Sequence, residues 1–222
     1  MKQSLLILTA SLGLAAVPGA RANVITFDTL SNGDSGSTIR SYLAGYGVSV
    51  SGVNPSGTDL LAMDDRLVYG GGIVGATSGH MYLGILPGAW GVGFTLNFNT
   101  PLAALSFKRI TEFPGPYGSA YPEWSATVYQ GGTALGTVGE AAYSLWPWNG
   151  SNPAQTYNFT GAGITSVTFS GNAYGFAGFC GPQIDDIALT PTPEPGQWAM
   201  MGLTFCGVAG YGYRCYRANK AG

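Results

Sequence analysis

From Asn23 onward, apolar and polar residues alternate in short runs. The series opens with Val24, Ile25 and Phe27 in "NVITFDT", Val48 and Val50 in "GVSVSG", and Phe94, Leu96 and Phe98 in "GVGFTLNF". It continues through "LAALSFKRI", "EWSATVYQ" and "TALGTV" and closes with "QTYNFTG", "GITSVTFSG" and "QIDDIALT". A period of two sends alternate side chains to a buried face and to water, as in a half-buried strand. Clusters of Gly, Asn, Pro and Ser ("SNGDSGS", "NPSG", "FPGPYGS", "WNGSNP") separate the runs and supply turns. About nine short strands at this spacing predict an all-β fold, an antiparallel β-sandwich or jelly roll. One short helix is expected within "STIRSYLAGYG", Ser37 to Gly47.

The pattern breaks at both ends of the chain. Lys2 is followed by the apolar run "LLILTASLGLAAV" and by small residues at Ala20 and Ala22. A basic start, a short apolar core and an A-x-A site are the parts of a secretory signal peptide, so cleavage is expected after Ala22. At the far end no charge occurs between Glu194 and Arg214, which leaves 19 uncharged residues, Pro195 to Tyr213. Such a run is long enough for a transmembrane helix. Trp198, Tyr211 and Tyr213 suit the two interfaces, and the basic cluster Arg214, Arg217 and Lys220 keeps the terminus in the cytoplasm. The expected organisation is a signal peptide at 1–22, a β-sandwich domain at 23–190 and a C-terminal tail at 191–222. Prolines lack a backbone donor and hold their neighbours extended, so "PTPEP" reads as a stiff, open linker outside the membrane.

The order Pro193-Glu194-Pro195, then "GQWAMMGLTFCGVAGYGY", then "RCYRANKAG" resembles the PEP-CTERM sorting domain of exported bacterial proteins handled by exosortases. The resemblance covers about the last 30 residues; the basic cluster is more dilute and the span richer in glycine than is usual for that family. It implies that a membrane-embedded, transpeptidase-like enzyme recognises Pro193, Glu194 and Pro195, removes the helix and releases or transfers the protein outward. The membrane is then a transient anchor, and the final location is the cell surface or the medium. The same tail is also catalogued under an ice-binding label, which implies no ice binding by itself.

Composition narrows the function. Glycine makes up 36 of 222 residues and charged residues only 9%. Between Asn23 and Pro191, four basic residues face ten acidic ones, a net charge of −6, which argues against nucleic acid as a partner. The single histidine, His80 in "TSGHMYLG", has no G-x-S-x-G nucleophile to serve, and one His with three scattered Cys does not make a zinc site. Cys206 and Cys215 lie in the tail, which leaves Cys180 with no partner for a bridge. Glu112 and Glu123 flank an aromatic loop but no spacing sets them across a cleft, and Asp64-Asp65 beside Arg66 reads as a turn with local charge pairing.

"ITFDTL…YGVSVSG" and "IDDIAL" look like the first and last strands of secreted jelly-roll domains related to carbohydrate-binding modules. That resemblance implies a structural calcium ion where the terminal strands meet, with Asp28, Asp185 and Asp186 as candidate ligands and backbone carbonyls completing the shell. Aromatic residues offer a stacking surface for sugars: Tyr117, Tyr121 and Trp124 in or beside "FPGPYGSAYPEW", and above all Trp146 and Trp148 in "LWPWNG", where Pro147 breaks regular pairing. The expected function is that of an exported, non-enzymatic cell-surface or matrix protein, sorted by its tail and associated with exopolysaccharide. The alternative is a secreted carbohydrate-binding or ice-binding module that uses an aromatic or Thr-rich face.

Overall fold

The computed structural model describes residues 22–54, 59–66, 74–85, 91–112, 120–121, 123–144, 151–172 and 183–192. The first strands are β1 (Asn23–Ile25), β2 (Val48–Asn54), β3 (Leu60–Asp64), β4 (Val74–Gly75) and β5 (Met81–Ile85). Helix α1 (Ser37–Ala44) lies between β1 and β2, inside the stretch expected to hold it. It buries Ile39 and Leu43, and Arg40 ties it to Asp59 Oδ1 (2.9 Å) and the Val50 carbonyl (3.0 Å). Next come β6 (Gly91–Arg109), β7 (Thr111–Glu112), β8 (Ala120–Tyr121), β9 (Trp124–Gln130), β10 (Thr133–Glu140) and β11 (Tyr143–Ser144). The last strands are β12 (Gln155–Asn172) and β13 (Ile184–Pro191).

Nine of these strands form one antiparallel sheet in the order β10-β9-β12-β6-β13-β5-β3, with β1 added to β13 and β2 to β6. The all-β expectation holds; the ladder, however, is continuous where the sequence suggested two stacked sheets. The runs "GVGFTLNF" and "LAALSFKRI" are two halves of the single strand β6, and "QTYNFTG" and "GITSVTFSG" are two halves of β12. Both strands pass through a bend, where their mutual register shifts between Thr160 and Ile164 and again between Ile164 and Ser166. Pro101, which cannot donate to a ladder, sits in β6 at this bend. The sheet therefore curls until its two halves share one core. Phe107 from the second half of β6 lies 5.0 Å from the Phe169 ring and 6.1 Å from that of Trp124.

Alternation follows burial along the strands. Phe94, Leu96 and Phe98 of β6, Trp124, Ala126 and Val128 of β9, and Val167 and Phe169 of β12 all enter the core. β3 and β5 escaped the alternation test because apolar residues fill both their faces; Met81, Tyr82 and Leu83 are consecutive and all buried. β9 and β10 form a hairpin across Gly131-Gly132, both at positive φ (53° and 89°), the backbone that glycine adopts at no steric cost.

Residues Ala22–Thr192 form one compact unit. Thr192 is held at its edge by a hydrogen bond from its N–H to the Pro101 carbonyl (2.9 Å). Among the described residues, no helix is long and apolar enough to cross a membrane. The signal peptide, Pro193, Glu194 and Pro195, the apolar tail and Arg214, Arg217 and Lys220 lie outside the described residues, apart from Ala22.

Candidate functional site

Two clusters of polar side chains are built into the sheet, and both lie on β6 and its neighbours. The first forms where the terminal strands part. β1 pairs with β13 from Asn23↔Leu189 to Ile25↔Ile187. Immediately beyond this ladder both strands take left-handed backbone at residues that carry side chains: Phe27 (φ 63°) and Asp186 (φ 48°). The register of β13 on β6 shifts between Asp185 and Ala188. A bulge of this kind re-aims side chains, and here it lets Ile184 and Asp185 be buried in succession. Strained backbone at two adjacent positions must be held by its surroundings.

The holding groups come from the loop before β5. Asp185 Oδ2 accepts hydrogen bonds from the N–H groups of Thr77 (2.9 Å) and Ser78 (3.0 Å) and from Thr77 Oγ1 (3.1 Å). Asp186 Oδ2 accepts from Thr77 Oγ1 (2.9 Å) and from Lys108 Nζ (2.8 Å). Asp28 meets the same loop at Gly79, where a Cβ would lie 2.1 Å from Asp28 Oδ1. Gly79→Ala, at φ 45° and with no room for a methyl group, is expected to destabilise the domain by about 1–3 kcal/mol, measured by urea unfolding. His80 ends the loop, its Nδ1 3.0 Å from Asp65 Oδ1. Asp64, by contrast, is engaged by Arg66 through its Nε (2.9 Å) and Nη2 (2.6 Å), the local charge pairing that the sequence suggested.

Charge in this cluster is unevenly compensated. Burial pushes the Asp185 carboxyl up to about 6, despite the donors on Ser78, Asp186 and Thr77. Burial also raises Asp186, but Lys108, Ser78 and Thr77 together hold it below the ordinary value. Arg66 holds Asp64 down at about 2. Because Asp185 has a higher pKa folded than unfolded, it stabilises the fold most at low pH, and that contribution disappears as pH rises through about 6. Asp64 has the opposite sign, and its contribution is lost only on acidification below about 4. In calcium-free buffer the Tm should therefore rise by several degrees from pH 7.5 to pH 4.5. Asp185→Asn should flatten that slope in a parallel thermal scan.

The second cluster is centred on Arg109, whose side chain is 1% exposed although it belongs to the pair Lys108-Arg109. Its Nε donates to Glu140 Oε1 (2.9 Å), Nη1 to the carbonyl of Ile110 (2.6 Å), and Nη2 to that of Pro153 (2.9 Å). Tyr157 donates its hydroxyl to the same Glu140 oxygen, and Trp124 Nε1 lies 3.4 Å from Oε2. Burial, and then Glu140, raise the Tyr157 phenol above its ordinary range, which keeps it a donor at neutral pH. The rings of Trp124 and Tyr157 meet edge to face at 5.0 Å. Trp124 is thus a core residue and is not part of an exposed sugar platform.

Trp146 and Trp148 lie outside the described residues, as do Tyr117 and Cys180; the side chains of Glu112 and Tyr121 are likewise not described, and Glu123 is exposed. The flanks of the tryptophan segment are held in place. Asn152 donates to the Tyr143 hydroxyl, and Arg109 grips the carbonyls of Asn152 and Pro153. Sequence reasoning missed Arg109 and Glu140. The available signal was parity: Arg109 continues the inward series Leu105, Phe107, and Glu140 continues Val138.

No family model and no curated protein matches the chain. Among solved structures, the K2 cleaved adhesin domain of Lys-gingipain (Kgp) aligns at 14% identity and a TM-score of 0.47, covering 76% of this chain and 99% of that one. A cyclase from Fischerella sp. in its apo form aligns at 12% identity and 0.43, covering 79% and 100%. The CBM22-1–CBM22-2 tandem domain of Paenibacillus barcinonensis Xyn10C aligns at 12% and 0.37, covering 82% and 48%. At these scores the likenesses carry no argument about function.

Proposed function

We propose that the chain is an exported, non-enzymatic cell-surface or matrix protein, whose sandwich-like domain is delivered by its C-terminal tail and associates with exopolysaccharide. The observation that carries this reading is the position of the folded unit's limits. The unit runs from Ala22 to Thr192, so it begins at the expected signal cleavage site and ends one residue before Pro193-Glu194-Pro195. The two limits of the unit also lie near each other: Asn23 pairs with Leu189, and Thr192 follows three residues on, roughly 10 Å at strand spacing. The test is the intact mass of the protein recovered outside the cell. It should give an N-terminus at Asn23 and a C-terminus near the Pro-Glu-Pro step; a protein extending to Gly222 would sink the proposal.

The calcium ion enters on the same footing. Among the described residues, no three His, Cys, Asp or Glu side chains cluster tightly enough to hold a metal by themselves. Asp28, Asp185 and Asp186 do converge on one loop whose Thr77 and Ser78 hydroxyls add the hard oxygen ligands that calcium prefers. Bound there, calcium would neutralise Asp185. Millimolar calcium should then raise the Tm at pH 7.5 and remove the pH slope; a Tm indifferent to calcium and to chelator would sink this assignment.

A further inference from the structure

The outward face of one half of the sheet carries a row of hydroxyl side chains whose side-chain hydrogen bonds, among the described residues, run only to one another and to Asn97. Register places Ser51 of β2 beside Thr95 of β6, Thr95 beside Thr168 of β12, Thr168 beside Thr127 of β9, and Thr127 beside Thr137 of β10. The row thus crosses all five strands of that half. The neighbouring rows run Ser49–Asn97–Ser166–Tyr129 and Gly93–Ser170–Ser125–Gly139. None of these residues is charged, and all belong to the parity opposite to the buried Phe94, Leu96, Val128, Val167 and Phe169.

Three properties of this face limit what it can bind. The first is charge: ordinary protein surfaces are about a quarter to a third charged, and a face with none offers nothing to a polyanion. The second is hydrogen-bonding capacity. Thr95 Oγ1 pairs with Thr168 Oγ1, and Thr127 Oγ1 with Thr137 Oγ1, each at 2.9 Å, while Ser51 Oγ accepts from Asn97 Nδ2 at 2.9 Å. Each threonine pair spends one donor and one acceptor site, leaving a donor and several lone pairs for a ligand, with the side chains already fixed in place. The third is spacing and twist. Adjacent strands lie about 4.8 Å apart, close to the rise per sugar of an extended glycan. Strands also turn by roughly 20–25° relative to one another, so the row rotates by roughly 80–100° over its four steps. A flat lattice such as ice cannot follow that rotation, whereas a single polymer chain can.

We propose that the Ser51–Thr95–Thr168–Thr127–Thr137 row binds a single chain of neutral polysaccharide laid across the five strands. The proposal rests on the polysaccharide association above and deepens it by naming the surface and the charge class of the polymer. The test is affinity electrophoresis of the exported protein in native gels containing hydroxyethylcellulose, xylan or dextran, with alginate as the anionic comparison. The protein should be retarded by at least one neutral polymer and not by alginate. Thr95→Val/Thr127→Val/Thr168→Val preserves side-chain shape and strand preference and should weaken retardation at least ten-fold. Ser51→Asp/Thr137→Asp places charge at the two edges of the row, where both residues are exposed, and should weaken it as well even if the triple variant fails to fold. Folding is checked by circular dichroism and thermal melting. Unchanged retardation in folded triple and edge variants overturns the proposal. So does retardation by alginate alone, or inhibition of ice recrystallisation with no retention by any polymer. If retention is lost on Trp146→Ala/Trp148→Ala but kept in both row variants, the polysaccharide association stands and this surface is wrong. If no polymer retains the wild-type protein, both fall, while the sorting reading is still judged by the C-terminal mass.

Discussion

Arg109→Ala is expected to lower stability by about 3–5 kcal/mol, because it leaves a carboxylate and several carbonyls without their partner in a buried setting. For a domain of about 170 residues this corresponds to a Tm roughly 10 °C lower. The guanidinium bridges Glu140 on β10 to the carbonyls of Ile110, Asn152 and Pro153, so its loss uncouples the end of β6 from both the β9–β10 hairpin and the segment entering β12. Arg109→Met/Glu140→Gln should recover part of the loss, since Tyr157 and Trp124 would then face a neutral amide. Chemical denaturation of the two variants decides the matter. A single variant within about 1 kcal/mol of wild type would show that Arg109 is a passenger in the core.

On the sorting proposed above, replacing Pro193, Glu194 and Pro195 together by alanine should leave nearly all of the protein with its full C-terminus and in the membrane fraction. Two effects combine here. The substitutions remove the chemical groups that the resemblance assigns to recognition, and they let the segment just after the folded edge at Thr192 join the apolar span as helix, since alanine is the best helix former and proline the worst. The readout is intact mass and fractionation of wild type and variant side by side. Identical C-termini and identical location in the two would remove the basis for sorting through this motif.

Much of the architecture was legible because one face of each half-sheet is buried and the other is wet. That condition holds for β9, β12 and β13, and more weakly for β10, where half-buried and exposed residues alternate. It fails for β5, where Met81, Tyr82 and Leu83 are buried in succession, and it is hidden in β3, where burial alternates but Leu61 and Met63 make the half-buried face apolar too. The joining of four runs into β6 and β12 was hidden as well. A bend in a strand and a turn between two strands both recruit Gly and Pro, as at Pro101, Gly161 and Gly163, and only the pairing partners tell them apart. At the candidate sites, Asp28, Asp185 and Asp186 could be named from their positions in the terminal strands. Their partners Thr77, Ser78 and Lys108 could not, because these arrive from more than 70 residues away in the chain. Arg109 beside Lys108 looks like an ordinary solvated basic pair; only its parity with Phe107 marks it as buried.

The pairing of β1 with β13 sets an order of events. β13 lies between β6 on one side and β1 and β5 on the other, so the sheet is incomplete until its final strand has arrived. A chain crossing a membrane from its N-terminus delivers β13 last, immediately ahead of the Pro-Glu-Pro step. On the export proposed above, the domain would lack this strand through almost the whole of its passage, and the docking of one eight-residue strand would complete the globule. If the apolar tail pauses translocation as proposed, the pause would fall at that moment and give the strand time to find its slot before the proposed cleavage.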